Sequence, residues 1–169
     1  SPYYRNKFET RLNHMVARVI ETDLPLIYLN MVGGQDDQVF DGASFALNPG
    51  GVLIMQQPVF DESVTHVDLA RGAKGWLILS GEVVNHPDEW EQDYRVMVTS
   101  LRDYCAKTGF KKVLLGMSGG VDSALVAAIA VDALGPKNVR CVMLPSEYTS
   151  TGSLEDAKSC AEILGCQYD

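Results

Sequence analysis

Gly116-Met117-Ser118-Gly119-Gly120-Val121-Asp122-Ser123 follows a short apolar run, Val113-Leu114-Leu115, and leads into Ala124-Leu125-Val126-Ala127-Ala128-Ile129-Ala130-Val131. The order is strand, glycine-rich turn, helix. At such a junction the first helical N–H groups lack backbone partners, and the helix dipole adds partial positive charge. Gly119 and Gly120 permit positive φ and leave room for an anion to approach the backbone. Ser118 and Ser123 bring hydroxyl donors, and Asp122 brings a carboxylate able to reach a phosphate-bound Mg²⁺. The stretch reads as a phosphate cradle; the bland alternative is an ordinary tight turn in an α/β sheet.

It is not a Walker A loop, which ends in Gly-Lys-Ser/Thr. The two lysines here, Lys111 and Lys112, lie before the strand. Nor is it Gly-x-Gly-x-x-Gly. The order Ser-Gly-Gly-x-Asp-Ser resembles the pyrophosphate loop of the N-type ATP pyrophosphatases, enzymes that split ATP into AMP and pyrophosphate.

Outward from the loop, the pattern stays α/β. Trp90 to Lys107 is an amphipathic helix whose stripe of Trp90, Tyr94, Met97, Val98, Leu101, Tyr104 and Cys105 is expected in the core, with Gly109 as its stop. Strand Lys111–Gly116, the loop and helix Val121–Leu134 follow, closed by Gly135-Pro136. Val139–Leu144 is the next strand. Ser153 then reads as an N-cap with Asp156 three residues on, opening a helix closed by Gly165. The β-α-β-α order implies parallel strands with right-handed crossovers and ligands outside their carboxyl ends. That edge carries the phosphate loop and Pro145-Ser146-Glu147-Tyr148-Thr149-Ser150, and in a nucleotide-binding sheet of this kind the backbone at Val142 to Leu144 would border the purine. Hydroxyls of Ser146, Thr149 and Ser150 either bind polar substrate groups or belong to a plain serine-rich turn.

Before Trp90 the elements are shorter. Arg5–Thr22 is helical, with Phe8, Leu12, Met15, Val16 and Val19 at spacings of three and four. Leu26–Val32 reads as one strand, Gly33–Asp37 as a turn, and Val39–Leu47 and Gly51–Gln56 as two strands about Asn48-Pro49-Gly50-Gly51. Val64–Leu69 suggests another short strand. Asp36-Asp37 is a solvated turn rather than a metal pair, since no His or Glu stands at ligand spacing. Residues 70–89, punctuated by Gly72, Gly75, Gly81 and Pro87, read as an interdomain connection.

Bulk properties narrow the function classes. The chain has 169 residues, 46% hydrophobic and 21% charged, as in globular proteins. Its longest apolar run, Ala124–Val131, is too short to span a bilayer. Net charge is −8, which disfavours nucleic-acid and anionic-membrane binding. Residues 1–90 carry 6 basic and 12 acidic side chains, and residues 91–169 carry 8 and 10, so anion affinity would be local to the loop. Cys105, Cys141, Cys160 and Cys166 form no Cys-x-x-Cys pair and fit buried thiols in a reducing cytoplasm. His14, His66 and His86 have no partner at catalytic spacing and are expected in structural or surface roles. A first residue that is Ser, and a strand just beginning at Gln167-Tyr168-Asp169, read as a fragment of something longer.

A second resemblance lies in the first half. Ser1-Pro2, Lys7, Tyr28-Leu29-Asn30-Met31-Val32-Gly33-Gly34-Gln35-Asp36 and Phe40-Asp41-Gly42-Ala43-Ser44-Phe45 look like the closing third of a nitrilase-type glutamine amidase domain. Arg102-Asp103-Tyr104, Gly109-Phe110, Gly116 to Leu125, Asp132-Ala133-Leu134-Gly135 and Met143 to Ser150 look like the start of a synthetase domain. The pairing resembles the glutamine-dependent NAD⁺ synthetases over nearly the whole chain. The fold that the resemblance implies is the end of a nitrilase-like α/β sandwich followed by the start of a parallel-sheet, Rossmann-like ATP pyrophosphatase domain. Residues 1–69 would be the amidase part, 70–89 the connection and 90–169 the synthetase part.

The resemblance implies ATP-dependent amidation of deamido-NAD through an adenylate, with ammonia drawn from glutamine. By position it assigns ATP to Gly116, Met117, Ser118, Gly119, Gly120, Val121, Asp122, Ser123, Met143 and Leu144, and Mg²⁺ to Asp122. Ser1 and Lys7 match contacts to glutamine, although Lys7 also reads as a solvated lysine at a helix start. The glutaminase Glu, Lys and Cys are expected upstream of Ser1, and the first ninety residues hold no cysteine. No catalytic residue is therefore assigned, and the fragment alone is expected to be inactive. A homo-oligomer is implied. The alternatives are another N-type ATP pyrophosphatase ligase or amidotransferase, and a non-catalytic interface module.

Overall fold

Arg11, on the helix that opens the chain, has its guanidinium buried, and its partner shows how the first part is assembled. The structure, a computed structural model, describes every residue except Lys74 and Tyr148. It divides into two compact units, Ser1–Val96 and Met97–Asp169.

In the first unit α1 (Lys7–Thr22) lays Phe8, Leu12, Met15, Val16 and Val19 on a three-stranded antiparallel sheet. The sheet runs in the order β1 (Leu26–Tyr28), β4 (Phe45–Asn48), β5 (Val52–Gln56), with an irregularity between Ala46 and Leu47. Alternation along β4 sends Phe45 and Leu47 into the α1 core, and Ala46 into a second cluster with Met55 and Ile78. This burial on both faces explains an uninterrupted apolar run in a strand. The hairpin of β2 (Val32–Gln35) and β3 (Gln38–Asp41) turns at Asp36-Asp37.

Four expectations are corrected here. Leu26–Val32 is not one strand: β1 ends at Tyr28, and the chain crosses to the β2–β3 hairpin through Asn30. The Asn30 amide nitrogen donates to Gly42 O (2.9 Å), Asp41 Oδ1 (3.0 Å) and Ser1 O (3.1 Å), and its backbone N–H donates to Ser44 Oγ (2.9 Å). Those bonds replace the ladder a continuous strand would have made. Gly33 and Gly34 lie in β2 rather than in the turn. Val39–Leu47 is likewise split, because Gly42 (φ +69°) and Ala43 (φ +49°) take left-handed conformations outside the extended range of a regular strand. Val64–Asp68 forms no strand; β6 (Leu69–Gly72) begins at Leu69 and pairs with β7 (Gly75–Ile78). Residues 70–89 cluster with the first unit, and Asn48 anchors β7 by accepting from Ile78 N (2.8 Å) and donating to Ile78 O (2.9 Å).

Helix α2 (Glu89–Thr108) contains the division between the units. Its stripe is only partly core: Cys105 is buried, whereas Trp90 is 76% exposed and Met97 and Tyr104 are also exposed. Trp90 instead receives the Arg5 guanidinium over its ring, 4.8 Å from the centroid.

The second unit is a parallel sheet in the order β10 (Gln167–Tyr168), β9 (Val139–Val142), β8 (Val113–Gly116). Register pairs Val113 with Val139 and Gly116 with Val142, so both strands end at the same edge. Helices α3 (Val121–Leu134) and α4 (Thr151–Leu164) supply Ala127, Ala130, Ala157 and Ala161 to a core with Met117, Val139 and Cys141. Strand β8 has one neighbour among the described residues, β9, and Leu114 on its other face is 66% exposed. The cap of α4 is also corrected. Ser150, not Ser153, is the N-cap, its hydroxyl accepting from Ser153 N at 3.1 Å, so the helix starts earlier than expected. No helix among the described residues is long and apolar enough to cross a membrane.

Candidate functional site: the turn between β8 and α3

The turn is shaped by its own side chains. Ser118 Oγ accepts from Gly120 N (3.3 Å), Ser123 Oγ accepts from Ser118 N (3.2 Å), and Ser123 O–H donates to Gly120 O (2.9 Å). With that assignment, Ser118 O–H points to Ser123 Oγ at 3.1 Å. Gly119 has φ +81°, and Gly120 stands at the N-cap of α3 in extended conformation. The first intrahelical bond is Ala124 N–H to Gly120 O at 3.1 Å, so the N–H groups of Val121, Asp122 and Ser123 precede the helical ladder. Below the turn, Met117 is buried, and its N–H donates to Val142 O at 2.9 Å. That bond carries the β8–β9 pairing to the base of the turn.

Beside it opens a cleft of about 510 Å³. Gly116, Met117 and Ser118 line it from the β8 side, Val142, Met143 and Leu144 from the end of β9, and Thr149, Ser150 and Ser153 from the start of α4. The site lies at the carboxyl ends of two parallel strands, where open α/β sheets bind ligands. Of the ATP positions read from the sequence, Gly116, Met117, Ser118, Met143 and Leu144 line the cleft, whereas Gly119 to Ser123 form the turn beside it. Asp122 is exposed in the first turn of α3. No group of three or more His, Cys, Asp or Glu that could hold a metal exists among the described residues. A lone carboxylate still suits Mg²⁺, which is held by one or two carboxylates and otherwise by substrate phosphates and water.

The loop after β9 folds on itself: Thr149 Oγ1 accepts from Ser146 N at 2.8 Å, and Thr149 N donates to Ser146 O at 3.0 Å. Tyr148, in the same stretch, lies outside the described residues. Ser153 as part of the cleft was missed from sequence. Two serines three apart before an apolar helix are both cap candidates, and choosing the second hid the role of the first.

Ser1 and Lys7 lie in the first unit. Ser1 exchanges bonds with Asn30, its nitrogen to Asn30 Oδ1 at 2.7 Å and its carbonyl from Asn30 Nδ2. Lys7 opens α1, its Nζ 4.5 Å from the Tyr4 ring centroid. Neither lines the cavity of about 270 Å³ in that unit where Tyr3, Glu9, Asp41 and His86 meet. His86 is held structurally, its Nε2 2.9 Å from Gln57 O and its ring edge-to-face with Phe8, and His14 and His66 are exposed.

Sequence reasoning also missed a buried ion pair. Arg11 donates to Asp41 through both terminal nitrogens (3.0 and 2.8 Å), and each side chain is only 4% exposed. The guanidinium lies 5.7 Å from the Phe8 ring centroid and 5.6 Å from that of Tyr28. Nothing local in the sequence marks a residue of the polar helix face as the partner of a strand-end carboxylate.

Residues 93–169, which include the whole second unit and its turn, match the family model described as NAD synthase. Over its full length the chain is more narrowly similar to the glutamine-dependent NAD(+) synthetases. It is 60% identical to that of Rhodobacter capsulatus, covering 100% of this chain and 31% of the relative, and 37% identical to that of Aquifex aeolicus, covering 99% and 35%. The solved glutamine-dependent NAD+ synthetase of Acinetobacter baumannii, in complex with ADP, superposes with a TM-score of 0.90 at 39% identity. That match covers 99% of this chain and 32% of that structure's. The chain thus spans about a third of the length of these relatives.

Proposed function

We propose that this chain is the section of a glutamine-dependent NAD⁺ synthetase that joins the end of the amidase domain, residues 1–69, to the start of the synthetase domain, residues 90–169, through residues 70–89. The whole protein would amidate deamido-NAD at the expense of ATP. The nicotinate carboxylate oxygen attacks the α-phosphorus, the α–β anhydride bond breaks, and pyrophosphate leaves. Ammonia, released from glutamine, then attacks the carbonyl carbon of the adenylate and AMP leaves. The observation that carries this reading is the turn itself: glycine backbone, helix N-terminus and serines sit beside an open cleft at the strand ends.

Residues of this chain bind and orient in that scheme. The N–H groups of Gly119, Val121, Asp122 and Ser123 hold the pyrophosphate, where charge accumulates as the anhydride breaks. Because the serine bonds already fix the shape of the turn, these amides need little rearrangement when charge develops. Ser118 O–H is free to turn from Ser123 to a phosphate oxygen. The backbone from Val142 to Leu144 borders the base. Asp122 would hold Mg²⁺, which neutralises phosphate charge when bound. Ser1 and Lys7 are proposed glutamine contacts, and a cytoplasmic homo-oligomer is the proposed setting.

The test is AMP release from Mg²⁺-ATP with glutamine, in a protein of the relatives' full length containing this chain. Release should require deamido-NAD, and Asp122→Ala should slow it by on the order of 100-fold. Equal release with a different carboxylate acceptor would overturn the NAD assignment, and an unaffected Asp122→Ala would remove the metal role.

A further inference from the structure

The phosphate turn rests on more than its own helix. A Cβ built on Gly119 would stand 2.3 Å from the Ser153 carbonyl oxygen and 3.0 Å from the Ser153 carbonyl carbon and Cα. The backbone of the turn therefore touches the backbone of the first turn of α4, at a point where only glycine fits. On the α4 side the contact is fixed by the cap. Ser150 Oγ accepts from Ser153 N (3.1 Å) and pairs with Ser153 Oγ (2.9 Å), while Leu154 N donates to Ser150 O (3.3 Å).

We propose that Ser150 is a positioning residue: by capping α4 it holds the Ser153 carbonyl against Gly119 and so keeps the phosphate turn in its binding shape. An uncapped first turn leaves its N–H groups without acceptors and frays. Fraying would withdraw the Ser153 carbonyl and release Gly119, which has no side chain to hold its positive φ. The loop after β9 ends at Ser150, so any movement of that loop reaches the phosphate turn through the same contact. The consequence for ATP rests on the function proposed above; the contact itself does not.

The experiment uses the 169-residue chain, with backbone ¹⁵N order parameters measured without nucleotide and Mg²⁺-ATP affinity measured by calorimetry. Ser150→Ala should lower the order parameters of Gly119 and Gly120 from about 0.85 towards 0.6 and weaken Mg²⁺-ATP binding roughly five-fold. Ser150→Asn, which restores a cap, should recover both. Asp88→Ala removes a cap elsewhere, where Asp88 Oδ1 accepts from Glu91 N at 2.9 Å, and should change neither. Gly119→Ala breaks the contact from the other side and should shift the amide resonances of Ser150 to Leu154. Unchanged order parameters in Ser150→Ala, or unmoved α4 resonances in Gly119→Ala, would overturn the proposal whatever ATP does. If the turn loosens and binding of ATP by the wild type persists undiminished in Ser150→Ala, positioning for ATP is refuted. If the turn loosens and not even the wild type binds ATP, the brace stands and the phosphate-site reading falls.

Discussion

Asp41→Asn tests the ion pair inside the first unit. The change keeps the shape of the side chain and removes its charge, leaving the Arg11 guanidinium buried against two aromatic rings with one weakened acceptor. Breaking a buried pair by neutralising one partner typically costs 3–5 kcal/mol, because the surviving charge is desolvated without compensation. With both side chains 4% exposed and bidentate geometry at 3.0 and 2.8 Å, the upper part of that range, about 4–5 kcal/mol, is expected. A domain of ordinary stability has roughly 5–15 kcal/mol in all, so the loss is visible in a urea titration followed by circular dichroism. Asn30 would not add to the damage, since Gly42 O and Ser1 O still accept its amide hydrogens. The double variant Arg11→Met/Asp41→Leu should recover most of the loss, as apolar replacement of a buried pair is commonly neutral or stabilising. A cost below about 1 kcal/mol for Asp41→Asn, or a double variant as unstable as the two single losses added together, would refute the reasoning.

Two further outcomes follow from the titrating groups. Burial, and then the bond from Tyr3 O–H to Asp93 (3.0 Å), push the Tyr3 phenol up to about 12. The folded state keeps this proton while the unfolded chain loses it near pH 10. The contribution is therefore complete below about pH 10 and lost as pH rises towards 12. Tyr3→Phe should show a shallower loss of unfolding free energy between those pH values, and an unchanged slope would count against the bond. Burial, helped by Cys166, likewise raises the Cys141 thiol to about 12. Iodoacetamide at pH 8 should leave Cys141 unmodified in the folded chain by peptide mass mapping, and labelling at the rate of a free thiol would contradict its burial.

The second unit was largely legible because its signals are local. Glycines, serines and an aspartate coincide with the end of one apolar run and the start of another, and Gly135 and Gly165 stop their helices where the sequence places them. The first unit was legible as elements but not as connections. Leu26–Val32 has the composition of one strand, and what breaks it is an Asn30 side chain whose partners lie 11 to 29 residues away. Ala43 at φ +49° has no sequence signature, since alanine rarely adopts that conformation. The α2 stripe shows the opposite limit: periodicity identifies an apolar face but not what covers it, and Trp90 is met by Arg5 rather than by core. In the site, the glycines predicted room for an anion, but at Gly119 the space a side chain would fill is taken by the Ser153 backbone. The close approach of Ser153 to Gly119 depends on how two helices pack, which no spacing reveals.

The position of β8 carries a consequence for handling the chain. A strand with a neighbour on one side presents a row of peptide N–H and C=O groups on the other, ready to template a second chain. Here that rim is short, only Val113 to Gly116, and unpaired among the described residues, and Leu114 at 66% exposure makes it sticky as well. In solution, association should grow with concentration through this rim, and Leu114→Lys, which puts a charge at the edge, should keep the protein dispersed.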